Sequence, residues 1–181
     1  MLYVVRHGQT DWNIAGKIQG KTDIPLNENG LDQANVVKEM LKDVKFTNVY
    51  SSPLSRAKNT AEIICDSKIS VLTDERISER CMGNYEGMDP HSMNLERFWD
   101  YSKNVNVENV EPVKDLINRV YNFLEEKKES YKNGDVLIVT HGGVYPAILA
   151  YFEGIPDYNK MLRKRINNCE VIKFGESKSV S

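Results

Sequence analysis

The chain has 181 residues, a length typical of one domain that buries a sizeable core. Its net charge of −2 excludes a general attraction to nucleic acid or to an anionic membrane, and its hydrophobic content of 40% is ordinary for a soluble globular protein. No apolar run approaches the roughly 20 residues that cross a bilayer. We therefore expect one domain over 1–181, with no nucleic-acid or membrane partner and with 175–181 as a flexible tail.

The cysteines and the first residues bear on the cellular compartment. Cys65, Cys81 and Cys169 are widely spaced and form no Cys-x-x-Cys motif, a pattern that favours reduced thiols. The apolar run at 2–5 is too short for the hydrophobic segment of a signal peptide. Both observations predict a cytoplasmic protein.

Strand and helix patterns alternate along the chain, which predicts an α/β domain with a mostly parallel sheet. Short apolar runs indicate strands covered on both faces, and apolar residues at helical spacing indicate helices packed on the sheet. Residues 74–111 are the least regular part. In chain order we predict strand 2–5, helix 29–44, strand 48–51, a helix beginning at Pro53, strand 71–73, helix 95–102, a long helix beginning at Pro112, strand 136–140, helix 144–152 and strand 168–174.

Two of the predicted strands end in His-Gly. Arg6-His7-Gly8 follows the first strand, and His141-Gly142 follows the strand at 136–140. Because ligands of open parallel sheets bind outside the carboxyl ends of the strands, we expect the two imidazoles to lie side by side at one rim.

These residue types suit phosphoryl chemistry. A phosphate monoester carries about two negative charges, and the planar guanidinium of Arg6 can bind two of its oxygens. Arg56 falls in the first turn after Pro53, where free backbone N–H groups favour an anion and the helix dipole disfavours a cation, so we interpret it as serving a ligand. His7 as a neutral imidazole could attack phosphorus, and His141 could donate to a phosphate oxygen.

Six motifs of the chain, taken together, resemble those of the histidine phosphatase superfamily, the phosphoglycerate mutase-like proteins. They run from the first predicted strand to the last, so the resemblance covers essentially the whole chain and implies a three-layer α/β/α fold. The motifs are RHGQTDWN at 6–13, QGKTDIPLNENGLDQA at 19–34, YSSPLSRAKNTAEII at 50–64, ISERCMGNYEG at 77–87, VTHGG at 139–143 and NNCEV at 167–171.

The resemblance implies roles for individual positions. We expect no metal, because the two histidines lack the partnering Asp/Glu cluster that a hydrolytic metal pair needs, and we expect no organic cofactor. His7 would become phosphohistidine, and Glu79 would protonate the leaving oxygen and later activate water. The residues implied to bind the transferred phosphoryl group are Arg6, Asn13, Arg56 and His141. The further residues implied to contact the substrate or shape its entrance are Gly8, Gln19, Thr22, Arg80 and Gly142.

Two different reactions can begin with transfer of the phosphoryl group to His7, namely hydrolysis and a mutase reaction. The short stretch between Glu79 and His141 resembles the small phosphatases, whereas Arg80 is more typical of the mutases, and Val144-Tyr145-Pro146 departs from the common phosphatase pattern. We predict a phosphomonoesterase that hydrolyses a small phosphorylated metabolite; the alternative is a cofactor-dependent phosphoglycerate mutase. A third hypothesis, a non-catalytic module that binds phosphorylated ligands, is disfavoured because the nucleophile and both arginines are present.

Several residues receive plainer interpretations. We expect Glu86-Gly87 to shape a turn, Cys81 to be a small buried thiol, and the basic run at 163–165 to be a solvated face. The aromatic residues near Trp99 could line the pocket or pack on the sheet. Substrate specificity is expected within 89–111, and the sequence does not indicate the oligomeric state.

Overall fold

The computed structural model describes residues 1–92, 94–155 and 165–175. Of the predicted tail only Gly175 is described; 176–181, and the first two residues of the basic run at 163–165, lie outside the described residues. The helices and strands are, in chain order, β1 (Leu2–Arg6), α1 (Asp11–Ile14), α2 (Glu28–Met40), β2 (Phe46–Ser51), α3 (Ser55–Cys65), β3 (Val71–Thr73), α4 (Leu95–Phe98), α5 (Val113–Asn133), β4 (Asp135–Thr140), α6 (Tyr145–Glu153) and β5 (Val171–Phe174). Short 3₁₀ helices lie at Glu75–Ile77, Gly83–Tyr85 and Pro90–Ser92.

The described strands form one sheet in the order β3-β2-β4-β1-β5. Strands β1 to β4 are parallel, and β5 pairs with β1 in the antiparallel direction, so the predicted mostly parallel sheet is confirmed. In the register of the central pair, Arg6 lies opposite Thr140. The residues that follow these two positions therefore leave the same edge of the sheet side by side.

Helices cover both faces of the sheet, which gives the three-layer architecture. Side chains alternate along β1, and Leu2 and Val4 pack in one core with α5 and α6. Tyr3 and Val5 face the opposite core, formed with α2 and α3. Each large aliphatic side chain buried in this way stabilises the fold by about 1.5–3 kcal/mol.

The ends of the helices follow local chemistry. The side chain of Asn27 accepts a hydrogen bond from the N–H of Gly30 at 2.9 Å and so caps the start of α2. The predicted helix at 29–44 ends earlier, at Met40. No helix of the described ranges is long and apolar enough to cross a membrane.

The helix predicted over 95–102 is shorter than expected and ends at Phe98. The carboxylate of Asp100 accepts hydrogen bonds from the N–H of Ser102 at 3.1 Å and from the N–H of Lys103 at 3.2 Å. These side-chain bonds replace the helical ones, because a short carboxylate competes well for nearby backbone N–H groups.

Candidate active site

The two histidines that follow β1 and β4 lie together at the carboxyl edge of the sheet. The N–H of His7 donates to the carbonyl oxygen of Thr140 at 3.0 Å, which continues the strand pairing by one residue. The ring centroids of His7 and His141 are 5.2 Å apart, and the two side chains are 2% and 0% exposed. The strand register thus brings the two predicted imidazoles into one buried site.

A backbone hydrogen bond sets the tautomer of His7. Its Nδ1 lies 2.7 Å from the carbonyl oxygen of Gly8, and because a carbonyl oxygen only accepts, Nδ1 carries the proton. Burial, followed by the positive charges of Arg6 and Arg56, holds the pKa of His7 well below its usual value. The ring is therefore neutral, with the lone pair of Nε2 available for attack.

His141 is buried with both ring nitrogens lacking a hydrogen-bond partner among the described residues. Burial, then the positive charges of Arg56 and Arg6, lowers the pKa of His141 well below its usual value. A buried polar group without a partner costs about 1–3 kcal/mol. This cost indicates that the ring faces a ligand site, where one nitrogen can donate to an anion.

Arg6 is anchored at one end of its guanidinium. Its NH1 group donates to the carbonyl oxygen of Ile166 at 2.8 Å, whereas its buried Nε has no partner within the described part of the chain. Gly142 lies beside this guanidinium, and a Cβ atom there would make an ordinary contact with Nε, at 3.4 Å. Gly142 thus borders the site beside Arg6.

Arg56 lies in the first turn of α3, which begins at Ser55, and its side chain is fully buried. Its NH1 donates to the carbonyl oxygen of Thr22 and its NH2 to that of Gly20, both at 2.8 Å. The Nε of Arg56 has no partner among the described residues. Two loop carbonyls therefore fix the plane of this guanidinium and leave other donors for an anion.

Glu79 reaches the site from the loop after the 3₁₀ helix at Glu75–Ile77. One carboxylate oxygen accepts the N–H of Arg80 at 2.8 Å and the other accepts the N–H of Gly143 at 3.1 Å. A Cβ atom at position 143 would lie 2.3 Å from a carboxylate oxygen of Glu79, so any side chain there would displace the carboxylate. The sequence motif contained Gly143, but its contact with the acid was not predicted.

Asn13 and Gln19 border the same pocket. The Oδ1 of Asn13 accepts the N–H of Thr10 at 3.0 Å, which leaves the amide NH₂ group to donate elsewhere. Asn168 supports this corner by donating to the carbonyl oxygen of His7 at 2.9 Å and to Oδ1 of Asn13 at 3.3 Å. Asn168 was quoted in a motif but given no role, and its adjacency to the site depends on β5 pairing with β1.

Two residues expected to contact the substrate, Gly8 and Thr22, do not line the pocket. The hydroxyl and the N–H of Thr22 both donate to the carboxylate of Glu86, and Thr22 does not line the pocket. The N–H of Gly8 donates to the hydroxyl of Thr60 at 3.0 Å, and a Cβ atom at Gly8 would lie 2.4 Å from the carbonyl oxygen of Gly30. The glycine at position 8 is therefore required by close packing on α2.

Arg80 presents unused donors to the pocket. Its Nε donates to the carbonyl oxygen of Glu111 at 2.8 Å, and its guanidinium lies 4.8 Å from the centre of the Trp99 ring. Both NH groups are buried without a partner among the described residues. Burial lowers the pKa of Arg80 to about 10, so the side chain stays charged at neutral pH.

Cys81 differs from its predicted environment, because it is half-buried and its thiol contacts the carbonyl oxygen of Asn109.

The pocket at this edge has a volume of about 330 Å³. A larger groove of about 960 Å³ lies at the opposite edge of the sheet, between Met1, Asp135 and Tyr151, away from the histidines. Among the described residues no cluster of three or more His, Cys, Asp or Glu side chains could hold a metal ion. The site-bearing pocket is lined by Arg6, His7, Asn13, Lys17, Ile18, Gln19, Gly20, Glu79, Arg80, Met82, Pro90, Trp99, Gly142, Gly143, Pro146, Arg165 and Ile166.

Paired histidines at the carboxyl ends of β1 and β4 define the class of phosphoglycerate mutase-like proteins. The sequence profile of the histidine phosphatase superfamily (branch 1) matches residues 2–179, and the chain belongs to this family.

Named relatives of this chain include phosphatases and mutases. The chain is 38% identical over 177 residues to "Uncharacterized phosphatase PhoE" of Bacillus subtilis (strain 168), which covers 97% of this chain and 89% of the relative. It is 34% identical over 177 residues to "Probable phosphoglycerate mutase GpmB" of Proteus mirabilis (strain HI4320), covering 94% and 82%. The structure of phosphoserine phosphatase from Entamoeba histolytica in complex with 3-phosphoglyceric acid superposes with a TM-score of 0.81 at 29% identity, covering 94% of this chain and 87% of that one.

Proposed function

We propose that this protein hydrolyses the phosphate monoester of a small metabolite through a phosphohistidine on His7. The observation that carries the proposal is the neutral His7, whose Nδ1–H is bound to Gly8 and whose Nε2 is therefore nucleophilic. Arg6, Arg56 and His141 surround it with buried nitrogen atoms that have no partner in the described part of the chain.

In the first step, Nε2 of His7 attacks phosphorus and the bond from phosphorus to the ester oxygen breaks. Glu79, in its protonated form, gives its proton to the departing oxygen, so the alcohol leaves uncharged. The two arginines and His141 bind the three phosphoryl oxygens, on which negative charge is spread in the transition state. General acid catalysis of this kind typically contributes about 10²–10⁴-fold.

In the second step, Glu79 is a carboxylate and takes a proton from water as the water oxygen attacks the phosphohistidine. The bond from phosphorus to Nε2 breaks, inorganic phosphate leaves, and the neutral ring of His7 and the protonated Glu79 are restored. The cycle consumes one water and one ester and needs no redox partner. Positive charge comes from the arginines, so we propose a reaction that is independent of metals and organic cofactors.

The first experiment compares wild type with a His7→Ala variant on para-nitrophenyl phosphate and on 3-phosphoglycerate. We expect phosphate release by wild type and a loss of at least about 10³-fold in the variant, since the nucleophile is removed. Equal release by both would refute the covalent mechanism. A wild type that binds phosphate but turns over no ester would instead favour the non-catalytic binding module.

A second candidate function is favoured by Arg80. Its two NH groups, which have no partner among the described residues, can bind a carboxylate on the non-phosphate part of a substrate, which a phosphorylated sugar acid would supply. The relative named a probable phosphoglycerate mutase points the same way. The deciding assay supplies 3-phosphoglycerate with catalytic 2,3-bisphosphoglycerate; rapid formation of 2-phosphoglycerate with little phosphate release would replace hydrolysis by mutase activity.

The proposal extends to the setting of the reaction. We place it in the cytoplasm, because the free thiols Cys65, Cys81 and Cys169 suit a reducing compartment. The substrate is a small molecule, consistent with a pocket of about 330 Å³.

A further inference from the structure

Glu86 is a carboxylate surrounded by donors. One oxygen accepts the N–H groups of Lys21 and Met82, both at 3.0 Å. The other accepts the N–H of Thr22 at 2.8 Å and its hydroxyl at 2.5 Å. Burial opposes the charge, but the hydrogen bonds outweigh it and lower the pKa of Glu86. The side chain is therefore an ionised anchor at neutral pH.

The segment that Glu86 anchors is the one that holds Arg56. The carbonyl oxygens of Gly20 and Thr22 accept the two NH groups of Arg56, while the backbone N–H groups of Lys21 and Thr22 donate to Glu86. Gly20 has a φ of +53°, and a Cβ atom there would lie 2.1 Å from a Glu86 oxygen. Residues 20–22 are thus held between the carboxylate and the guanidinium.

The carboxylate of Glu86 also binds the loop segment that carries Glu79. Met82, whose N–H it binds, follows Glu79 by three residues and lines the pocket. Only the bond to Met82 is local enough to belong to the turn that Glu86 was expected to shape. The bonds to Lys21 and Thr22 span 65 and 64 positions of the sequence and connect two separate parts of the site wall.

We propose that Glu86 is a positioning residue that sets the orientation of Arg56 through the loop 20–22. The inference rests on the proposed function, in which Arg56 binds the phosphoryl group. Arg56 is fully buried, so its guanidinium has no solvent alternative to the two loop carbonyls. A loop released from Glu86 would let the plane of the guanidinium tilt and would weaken binding of phosphate oxygens.

Glu86 needs two accepting oxygens, which an uncharged side chain of the same shape does not have. A glutamine has one accepting oxygen and an NH₂ group that only donates, so it cannot accept bonds on both sides. In one orientation of the amide, Glu86→Gln makes the N–H of Thr22 face the NH₂ group. In the other orientation, the N–H groups of Lys21 and Met82 face it. We therefore expect an isosteric variant to disturb the loop.

The test measures the inhibition constant of orthophosphate, kcat and KM on para-nitrophenyl phosphate for Glu86→Gln. The matched control is Glu62→Gln, an exposed carboxylate on α3 whose partner is Lys58 at 3.8 Å. We expect about a 10-fold rise in the inhibition constant and in KM for Glu86→Gln, and no change beyond about 1.5-fold for the control. A merely structural role would lower the melting temperature and leave the inhibition constant of the folded protein unchanged.

A double-mutant cycle with Arg56→Lys then tests the route. If Glu86 acts through Arg56, Glu86→Gln should raise the inhibition constant much less in the Arg56→Lys background than in wild type. Equal factors in the two backgrounds would overturn the proposal. If Glu86→Gln does not fold, Thr22→Val is measured instead, because it removes only the hydroxyl that donates to Glu86. We expect the inhibition constant of orthophosphate to rise two- to fivefold, which is about 0.4–1 kcal/mol when 1.4 kcal/mol corresponds to tenfold. An unchanged inhibition constant there would overturn it.

The experiments distinguish failure of the positioning role of Glu86 from failure of the proposed function. A wild type that hydrolyses no ester contradicts the proposed function, and orthophosphate binding, measured by calorimetry, still tests the link from Glu86 to Arg56. A wild type that hydrolyses esters with an unaffected Glu86→Gln variant contradicts only the positioning role.

Discussion

Nδ1 of His7 lies 2.7 Å from the carbonyl oxygen of Gly8, its own neighbour in the chain. The bond fixes the proton on Nδ1 and directs the reactive lone pair to Nε2. It needs no other residue, so the nucleophile is oriented by the backbone at the point where β1 ends. Burial, followed by the charges of Arg6 and Arg56, lowers the pKa of the ring and keeps it neutral, and the same two cations attract an anionic ligand toward Nε2.

Arg56→Lys keeps the charge but loses the planar fork that binds the carbonyl oxygens of Thr22 and Gly20. We expect kcat/KM for para-nitrophenyl phosphate to fall by about 10²–10³-fold, as for removal of a preorganised donor. The control is Lys58→Arg, an exposed residue on the same helix. A loss below threefold for Arg56→Lys would contradict the assigned role.

Gly143→Ala places a methyl group against the carboxylate of Glu79 and displaces the acid. The loss of kcat should be greatest for esters with poor leaving groups and smallest for para-nitrophenyl phosphate, whose leaving oxygen needs little protonation. Gly142→Ala is the comparison, because its Cβ would meet only ordinary contacts, at 3.4 Å from Nε of Arg6 and beyond. A uniform loss across leaving groups would argue against Glu79 as the acid.

The buried histidines predict a pH dependence of stability. Their folded-state pKa values lie well below the unfolded value of about 6.5, so below that pH the unfolded chain binds protons that the folded chain resists. Stability is therefore fully present above pH ~6.5 and falls by up to about 1.4 kcal/mol per pH unit for each histidine as the pH drops further.

Urea unfolding at pH 7.5 and pH 5.5, in buffers without phosphate, measures this effect. His141→Asn should lose a large part of the pH dependence, because one of the two contributing rings is gone. The exposed third histidine supplies the control, and His91→Asn should keep the wild-type dependence. Identical dependence in all three proteins would contradict the neutral, buried state of His141.

Arg80→Met removes the guanidinium but keeps an apolar side chain against Trp99. We expect kcat/KM for 3-phosphoglycerate to fall about 10-fold or more, since a charged hydrogen bond to its carboxylate is lost, and that for para-nitrophenyl phosphate to change little. Arg97→Met, at an exposed position of α4, is the matched control. Equal losses of kcat/KM on both substrates would contradict a role of Arg80 in substrate selection.

Chelation tests the proposed metal independence. Because arginines supply the positive charge of the proposed site, dialysis against excess EDTA should leave kcat unchanged on para-nitrophenyl phosphate. Loss of activity that returns on adding a divalent cation would require a different mechanism.

The sequence predicted the parts of the site that depend on local pattern. His7 and His141 follow apolar strands, and parallel pairing of those strands is enough to bring them together. Arg56 follows the proline that precedes α3. The residues that orient these groups were not predicted, because Glu86 and Asn168 reach the site by contacts between distant parts of the chain.

The contacts of two residues, Thr22 and Gly8, differ from the expected ones for the same reason. Thr22 was expected to contact substrate, but its hydroxyl donates to Glu86, a partner 64 positions away. Gly8 was expected to let its backbone approach the anion, yet its N–H is taken by Thr60 from α3. Spacing in sequence identifies residue types suited to a site; which donor each one meets depends on how loops pack over the sheet edge.

The central claim is the covalent intermediate on His7. The direct measurement is rapid alkaline quenching of wild type during turnover of a ³²P-labelled ester, followed by peptide mapping by mass spectrometry. The proposed mechanism predicts phosphate on the peptide that contains His7 and no label on the peptides that contain His91 or His141. Turnover with no labelled histidine, or with the label on another residue, would contradict the account.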